Sequence, residues 1–280
     1  MKFILANNEL FSAELPGVKI SNRGFHYGDG FFETIRILDG KPCFYNAHFE
    51  RILKTAKALG MILPDDFSKD SLLQSIHYLL KENSIFEGGR MRITFTRSGD
   101  GFYLPEKSTF DFFIEAKSVE HNIYTLNQQG RSIDIYPDIR KQINLLSIYK
   151  TLNCQIYVMA SLSAKNKGLD DCLIQNDRNN IIEASSSNVF IVSNGVLYTP
   201  TLDDGCVGGV MRMQIINLAL ENKIKVYECN LTPQHLLAAD EIFLTNAIQG
   251  IQWVSSYRTK RYFNENAKKF IQILNAAAKI

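Results

Sequence analysis

The chain has 280 residues, enough for one large domain or two of ordinary size, and its 45% hydrophobic and 21% charged residues are normal for a globular protein. A formal net charge of +2 is too small to favour nucleic acid or an anionic membrane as a partner. No stretch approaches the roughly twenty apolar residues of a membrane span, and the opening MKFILANNEL is too short in apolar residues for a signal peptide. The five cysteines are dispersed without a C-x-x-C pair, which predicts a cytoplasmic location and argues against a thiolate zinc site.

Short strands and helices alternate in the first part of the chain. MKFILANN and FFETIRILDGKPCF predict strands, and the second segment turns at Asp39-Gly40, a strong hairpin signal. Helical spacing of apolar residues predicts helices over 46–59 and 69–82. RMRITFTR and FDFFIEAKS predict two further strands, and the polar, unpatterned stretch 119–130 predicts a linker between domains.

After the linker, SIDIYPD predicts a strand and residues 147–165 predict a long helix. The remaining segments predict, in chain order, strands in CLIQND and IIEASSSNVFIVSNGVLYTP, a helix over 209–222, a strand in KVYECN, a short helix near Pro233, a strand in EIFLTNA and an amphipathic helix from Asn264. Runs of strands with interspersed helices favour an α+β fold over a doubly wound parallel sheet. We therefore predict an N-terminal α+β domain over 1–118 and a C-terminal α+β domain over 131–280.

Five segments carry candidate chemistry: RGFHYGDGFFETIR, HFERI, YKTLNC, EASSSNVFIV and TPTLDDGCVGGVMR. The last ends in two glycines that run into a predicted helix, a pattern that lets backbone amides approach a phosphate at the helix N-terminus. Taken alone, such a glycine pair is more often an ordinary turn. No metal site is predicted, because the remaining histidines show no ligand spacing: His26, His77, His121 and His235.

Lys150 stands among apolar residues at the start of the predicted helix over 147–165. One interpretation is a side chain whose stem extends along the protein surface and brings its charge to water. The other is an amine held in a desolvated pocket, where burial favours the neutral, nucleophilic form. Taken by itself, the residue favours the first interpretation.

Together and in this order, the segments resemble the class IV aminotransferases, the fold-type IV pyridoxal-phosphate enzymes. This family includes branched-chain and D-amino-acid aminotransferases and 4-amino-4-deoxychorismate lyase. The family patterns are matched by Arg23 to Glu33 (R-x-x-x-Y/F-G-D-G-x-F/Y-E), His48 to Ile52 (H-x-x-R-L), Lys150 and Asn153 (K-x-x-N), Glu183 to Phe190 (E-x-S-x-S-N-x-F), Gly208 to Arg212 (loosely P-G-I-T-R), and the closing segment ADEIFLTNAIQGIQWV. The resemblance implies two α+β domains with the cofactor between them, in a homodimer whose partner chain helps to close the pocket.

The resemblance also implies a role for each matched residue. Lys150 would form the Schiff base with pyridoxal 5'-phosphate (PLP), Glu183 would face the pyridine nitrogen so that the ring accepts electrons, and Arg51 would hold the phosphate with its fork of donors. Further cofactor contacts would come from Ser186, Ser187, Asn188, Gly209, Val210, Met211 and Asn246. The expected substrate-binding residues are Phe32, Arg36, Arg97, Tyr103 and Ala247.

The chain departs from the family patterns at three positions. Met211 stands where many members have a threonine that contacts the phosphate, and Cys154 stands where branched-chain enzymes have a tyrosine. Asp100 lies where the lyases have a second arginine, so Arg97 or Arg36 would have to hold the substrate anion.

Three functions follow, in order of preference. The segments TRSGDGFYLPE and FLTNAIQGIQWV resemble the lyases most, which favours 4-amino-4-deoxychorismate lyase, the enzyme that releases 4-aminobenzoate and pyruvate. An amino-acid transaminase acting on branched-chain or D-amino acids with 2-oxoglutarate is the close alternative. A cofactor-free binding protein on the same fold is a remote one, since Lys150 and Glu183 are both present.

Overall fold

The computed structural model describes residues 1–14 and 18–278. The helices in these ranges are α1 Arg23–Tyr27, α2 Tyr45–Ala58, α3 Lys69–Glu82, α4 Gln155–Asn166, α5 Val210–Glu221, α6 Pro233–Ala238 and α7 Glu265–Ala278. The strands are β1 Phe3–Ala6, β2 Glu9–Ser12, β3 Gly30–Leu38, β4 Lys41–Pro42, β5 Gly89–Arg97, β6 Phe110–Ser118, β7 Arg131–Ile135, β8 Asp171–Gln175, β9 Ile181–Ala184, β10 Asn188–Ser193, β11 Val196–Thr199, β12 Val226–Glu228, β13 Glu241–Asn246, β14 Gly250–Tyr257 and β15 Lys260–Arg261. None of the helices in these ranges is long and apolar enough to cross a membrane.

The first of two compact units comprises residues 1–123 together with Tyr149–Asn153. Its sheet has six antiparallel strands in the order β2-β1-β6-β5-β3-β4. In β5, buried Met91, Ile93 and Phe95 alternate with partly exposed residues, so one face of the sheet lies on the core. The apolar faces of α2 and α3 contribute to the same core.

The second unit comprises residues 124–148 and 154–280. Its mixed sheet has nine strands, and six of them form a closed ring in the order β10-β13-β14-β7-β8-β9. The ring closes where Asn188 at the start of β10 pairs with Glu183 on β9. Two residues predicted to bind the cofactor are therefore neighbours in the sheet.

Most local predictions are confirmed. The hairpin turns at Asp39-Gly40, α3 has the predicted bounds, and helix α5 begins directly after Gly209. The structure also has the mixed α+β content that the element order predicts. The sequence did not predict β14, which pairs with β13 and runs parallel to β7.

The predicted helix over 147–165 is wrong in its first part, because α4 begins only at Gln155. The segment before it is extended and lies along the edge of β3. The Phe32 N–H donates to the Lys150 carbonyl at 3.0 Å, and the Leu152 N–H donates to the Gly30 carbonyl at 3.0 Å. This pairing replaces the first turns of a helix, and it is the reason the segment groups with the first unit by contacts.

The predicted linker contains the point between residues 123 and 124 where the two units divide. The predicted domain over 131–280 would have included Lys150, whereas the contacts place this residue with the first unit. The assignment of functional domains stays a prediction.

Candidate functional site

Glu183 is 3% exposed and forms the centre of a polar cluster in the second unit. Its Oε1 accepts hydrogen bonds from Lys141 Nζ at 2.7 Å and from the Tyr157 hydroxyl at 2.9 Å. Its Oε2 accepts one from the Val207 N–H at 2.9 Å. A buried carboxylate is stable only when it is paired and hydrogen-bonded, and these three donors supply both.

The Tyr157 phenol is a neutral donor in this cluster. Burial and the nearby Glu183 charge, together with the hydrogen bond to it, raise the pKa of Tyr157 well above its usual range. The proton therefore stays on the tyrosine at any physiological pH.

The N-terminus of α5 lies next to the same cluster. Gly209 is the N-cap residue, and no side chain among the described residues caps the helix there. A Cβ at Gly209 would lie 2.0 Å from Asn188 Oδ1, so only glycine allows this close approach. Asn188 in turn donates from Nδ2 to the Val207 carbonyl at 2.8 Å.

The first N–H groups of a helix have no partner within the helix, and the helix dipole favours an anion there. Val210 and Met211 provide such groups at the start of α5, which has twelve residues. Both side chains are buried and apolar. Met211 therefore offers no hydroxyl at the position where the family pattern has a threonine.

Two strand ends meet beside this helix start. Asn246 Nδ2 donates to Ser187 Oγ at 3.0 Å, which joins the end of β13 to the turn before β10. Thr245, the register partner of Asn188, has a buried Oγ1 that lacks a hydrogen bond in the described structure. Ser186 is exposed, and Ala247 accepts a hydrogen bond at its carbonyl from the Tyr124 hydroxyl.

These observations fit the phosphate and the pyridine nitrogen of PLP. An uncapped helix N-terminus with a glycine cap suits the phosphate, and a buried carboxylate suits a pyridine nitrogen that carries a proton. The predicted residues that the second unit brings together are Glu183, Ser187, Asn188, Gly209, Val210, Met211 and Asn246.

Lys150 lies against an aromatic side chain in the first unit. Its Nζ is 4.4 Å from the ring centroid of Phe32, on the neighbouring strand β3. The Arg92 guanidinium lies 3.7 Å from the same centroid. Phe32 is thus the predicted substrate-binding residue that the structure brings to Lys150.

Arg51 makes a buried ion pair with Glu33 of β3. Its Nε donates to Glu33 Oε1 at 2.7 Å and its Nη2 to Oε2 at 2.6 Å, and His48 Nδ1 lies 2.7 Å from Oε2. Burial opposes the charge on Glu33, but the Arg51 charge and the His48 hydrogen bond outweigh it, so the pKa of Glu33 falls from 4.5 to about 2. Burial lowers the pKa of His48, so this ring donates as a neutral imidazole.

The two arginines predicted for the substrate differ in their surroundings. Arg97 is 8% exposed and donates to Asp29 as well as to the carbonyls of Leu59 and Gly60. These hydrogen bonds all go to groups of the first unit, so they stabilise that unit. Arg36 is buried and donates from Nη2 to the His121 carbonyl.

Tyr103 is 90% exposed on the loop between β5 and β6. Buried Arg23 fixes the path of this loop, because its Nη1 lies within 3.3 Å of the carbonyl oxygens of Asp100, Gly101 and Phe102. Phe102 and Leu104 beside Tyr103 are each 85% exposed.

Sequence reasoning missed four residues of these clusters: Glu33, Arg92, Lys141 and Tyr157. Glu33 was part of a matched pattern, and its apolar neighbours on β3 are a signal that a buried carboxylate must have a partner. Lys141 and Tyr157 lie outside the matched patterns, and the sequence gives no local signal for them.

A family model described as amino-transferase class IV matches residues 30–257. A D-alanine aminotransferase of Listeria monocytogenes is 30% identical over 251 residues, covering 87% of this chain and 83% of that protein. A D-alanine aminotransferase of Staphylococcus epidermidis is 28% identical over 254 residues and covers 88% of this chain and 86% of that protein.

Solved structures of similar fold include a branched-chain aminotransferase and a protein described as a lyase. The branched-chain aminotransferase of Thermoproteus uzoniensis superposes with a TM-score of 0.89 at 22% identity, covering 99% of this chain and 95% of that one, and it shows the shared fold. The "Putative 4-amino-4-deoxychorismate lyase" of Legionella pneumophila superposes with a TM-score of 0.83 at 27% identity, covering 95% of this chain and 97% of that one.

Proposed function

Since the chain belongs to the class IV aminotransferase family and is a PLP-dependent enzyme, we propose that it transfers the amino group of a small amino acid to a keto acid. The observation that carries the proposal is the polar cluster of the second unit. Glu183 and the start of α5 are linked through two residues: the Val207 N–H donates to Glu183, and Asn188, whose Oδ1 lies against Gly209, donates to the Val207 carbonyl. This arrangement suits a ligand with a basic ring nitrogen and a phosphate.

PLP supplies an electron-accepting ring that stabilises negative charge on the substrate carbon next to the nitrogen. We assign Lys150 as the residue that would hold the cofactor covalently, and its amine would be the group that takes the proton from that carbon. Glu183 would accept a hydrogen bond from the protonated ring nitrogen, and the N–H groups of Val210 and Met211 would donate to the phosphate. Asn246 and Ser187 add side-chain donors at the same end.

Arg51 is assigned to the phosphate as well. Glu33 receives one edge of its guanidinium through two hydrogen bonds, which fixes the direction of the remaining donors. For the substrate carboxylate we propose Arg92, because it lies over Phe32, the aromatic ring next to Lys150. Arg36 is kept as a second candidate because the sequence resemblance indicates it and it lies on β3 with Phe32. Arg97 is a weaker candidate, since Asp29 and two backbone carbonyls occupy its donors.

The relatives favour a D-amino acid, alanine first, as the amino donor. The Listeria protein is named as a D-alanine aminotransferase and covers most of this chain. The lyase reaction on 4-amino-4-deoxychorismate is the second candidate. It is favoured by the 27% identical Legionella structure and by the segments TRSGDGFYLPE and FLTNAIQGIQWV.

Pyruvate alone does not separate the two candidates, because D-alanine transamination and the lyase both release it. The purified protein loaded with PLP is therefore given D-alanine, L-alanine or L-leucine with and without 2-oxoglutarate, and separately 4-amino-4-deoxychorismate. We expect pyruvate from D-alanine only when 2-oxoglutarate is present. Release of 4-aminobenzoate without a keto acid would establish the lyase instead, and no product from any substrate would refute both.

We also propose that the enzyme works as a cytoplasmic homodimer. Three successive apolar side chains, Phe102, Tyr103 and Leu104, project from a loop whose path is fixed by Arg23. Exposed apolar groups of this kind mark an association surface. Light scattering should give twice the chain mass, and a monomer at working concentration would contradict this part of the proposal.

A further inference from the structure

We propose that Lys141 and Tyr157 are positioning residues that set how strongly Glu183 acts on the cofactor's ring nitrogen. The inference rests on the proposed function, since it takes Glu183 as the partner of that nitrogen. It goes beyond that function by assigning two residues outside the matched sequence patterns, one of them a cation.

The two oxygens of Glu183 have unequal surroundings. Oε1 receives two donors, the Lys141 ammonium at 2.7 Å and the Tyr157 hydroxyl at 2.9 Å, whereas Oε2 receives only the Val207 N–H at 2.9 Å. A carboxylate oxygen accepts about two hydrogen bonds in good geometry. Oε1 is therefore saturated by the chain itself, and Oε2 is the oxygen that accepts a further donor.

The donors hold the carboxylate from three different elements. Lys141 lies in the segment between β7 and α4 and also donates to the Ser147 carbonyl at 2.9 Å. Tyr157 lies in the first turn of α4, and its ring centroid is 5.4 Å from Lys141 Nζ. Val207 precedes α5. Because these contacts come from separate directions, the carboxylate has one orientation.

Lys141 also changes the electrostatics. A buried carboxylate without a cation would attract a proton on the ring nitrogen more strongly than one that already shares its charge with an ammonium group. Lys141 is the one cation that donates to Glu183 among the hydrogen bonds of the described residues. The pair thus moderates the basicity of this end of the site.

Besides Lys141, the groups around the carboxylate and the nearby Cys206 are a neutral thiol, two uncharged strand partners and two side chains of opposite charge. Burial raises the pKa of the Cys206 thiol to about 12, so it stays neutral beside Glu183. Asn188 on β10 and Ile174 on β8, the strand partners of Glu183, have uncharged side chains. Arg212 and Asp204 act on Cys206 from α5 and the segment before it, with opposite signs.

The test measures the visible absorption of PLP bound to the full-length protein as the pH is raised, and it gives the pH midpoint at which the bound cofactor loses a proton. Removing a positive charge or a hydrogen-bond donor from Glu183 leaves more negative charge next to the cofactor, so the cofactor holds its proton to a higher pH. We expect the midpoint of this titration to rise by about one pH unit in Lys141→Met and by about half a unit in Tyr157→Phe, as the loss of a charged and of a neutral hydrogen bond implies. Lys141→Arg keeps the charge and should restore a midpoint near that of the wild type.

Tyr262→Phe is the matched control, because Tyr262 is a buried tyrosine of the same unit whose hydroxyl donates to the Leu236 carbonyl at 2.8 Å. It should lower the stability in urea and leave the midpoint unchanged. The inference is overturned if the Lys141 and Tyr157 variants bind PLP with an unshifted midpoint, or if Tyr262→Phe shifts it equally. A wild-type protein that gains no visible band with PLP would instead overturn the proposed function, and this inference with it.

Discussion

Replacing Glu33 by glutamine should destabilise the first unit by far more than removing an exposed charge on α2. Glu33 is 1% exposed and receives two hydrogen bonds from Arg51 and one from His48. The variant keeps the shape of the side chain and leaves the largely buried Arg51 guanidinium, which is 13% exposed, without the charge of Glu33.

The size of the effect follows from the pKa of Glu33, which is about 2 in the folded chain against 4.5 for the free group. A difference of about 2.5 units corresponds to about 3 kcal/mol of folding free energy at neutral pH. Because the pKa of this carboxyl is lower in the folded chain, the free energy of unfolding decreases as the pH falls. The stabilisation is complete above pH 4.5 and is lost as the pH falls toward 2. The lowered pKa of His48 acts in the same direction, because the unfolded chain takes up a proton that the folded ring refuses.

The assay is urea unfolding of the cofactor-free protein, followed by circular dichroism and extrapolated to water, at pH 7 and in steps down to pH 2.5, so that it covers the range in which the Glu33 contribution is lost. Glu50→Gln is the control, since Glu50 is exposed on α2 next to Arg51, and it should change the free energy of unfolding by less than about 0.5 kcal/mol. A loss in Glu33→Gln no larger than that of the control, or an unchanged dependence on pH, would refute the ion-pair argument.

Three further predictions concern the site and the fold. Lys150→Ala should abolish both turnover and the visible band that borohydride fixes in the wild type, and a persistent band would show that the cofactor is attached elsewhere. Gly209→Ala should weaken PLP binding about ten-fold in equilibrium dialysis, because its Cβ would lie 2.0 Å from the Asn188 amide oxygen. Gly208→Ala is the control and should bind PLP as the wild type does, because its Cβ meets nothing closer than 3.6 Å. Glu241→Ala should lower the free energy of unfolding by about 2 kcal/mol, because this buried carboxylate accepts hydrogen bonds from the backbone N–H groups of Asn266 and Ala267 at the start of α7; equal stability in urea would contradict it.

The parts of the fold that could be predicted depend on local chemistry. The Asp39-Gly40 turn and the helix over Lys69–Glu82 are specified by residues next to each other in the chain. Lys150 shows the limit of such reasoning. Its apolar neighbours have helical spacing, but the open edge of β3 offers backbone hydrogen bonds that outweigh the local preference.

The site was predictable where family patterns cover it and not where contacts are distant in the chain. Glu183 and Gly209 were expected, yet Lys141 and Tyr157, which donate to Glu183, are 42 and 26 residues away from it and belong to no pattern. Arg97 shows that a matched pattern does not reveal which contacts a side chain makes. The pattern predicted that Arg97 binds the substrate anion, whereas in the structure its guanidinium donates to Asp29 and to two backbone carbonyls.

The loop held by Arg23 has a consequence for how this enzyme could be diversified. Its anchor grips backbone oxygens of Asp100, Gly101 and Phe102, and a backbone carbonyl is the same whatever side chain follows it. The path of the loop is thereby decoupled from its side-chain identities. Randomising residues 102–104 in a library should alter what the loop meets while Arg23 preserves its course, which makes this tripeptide a natural starting point for laboratory evolution.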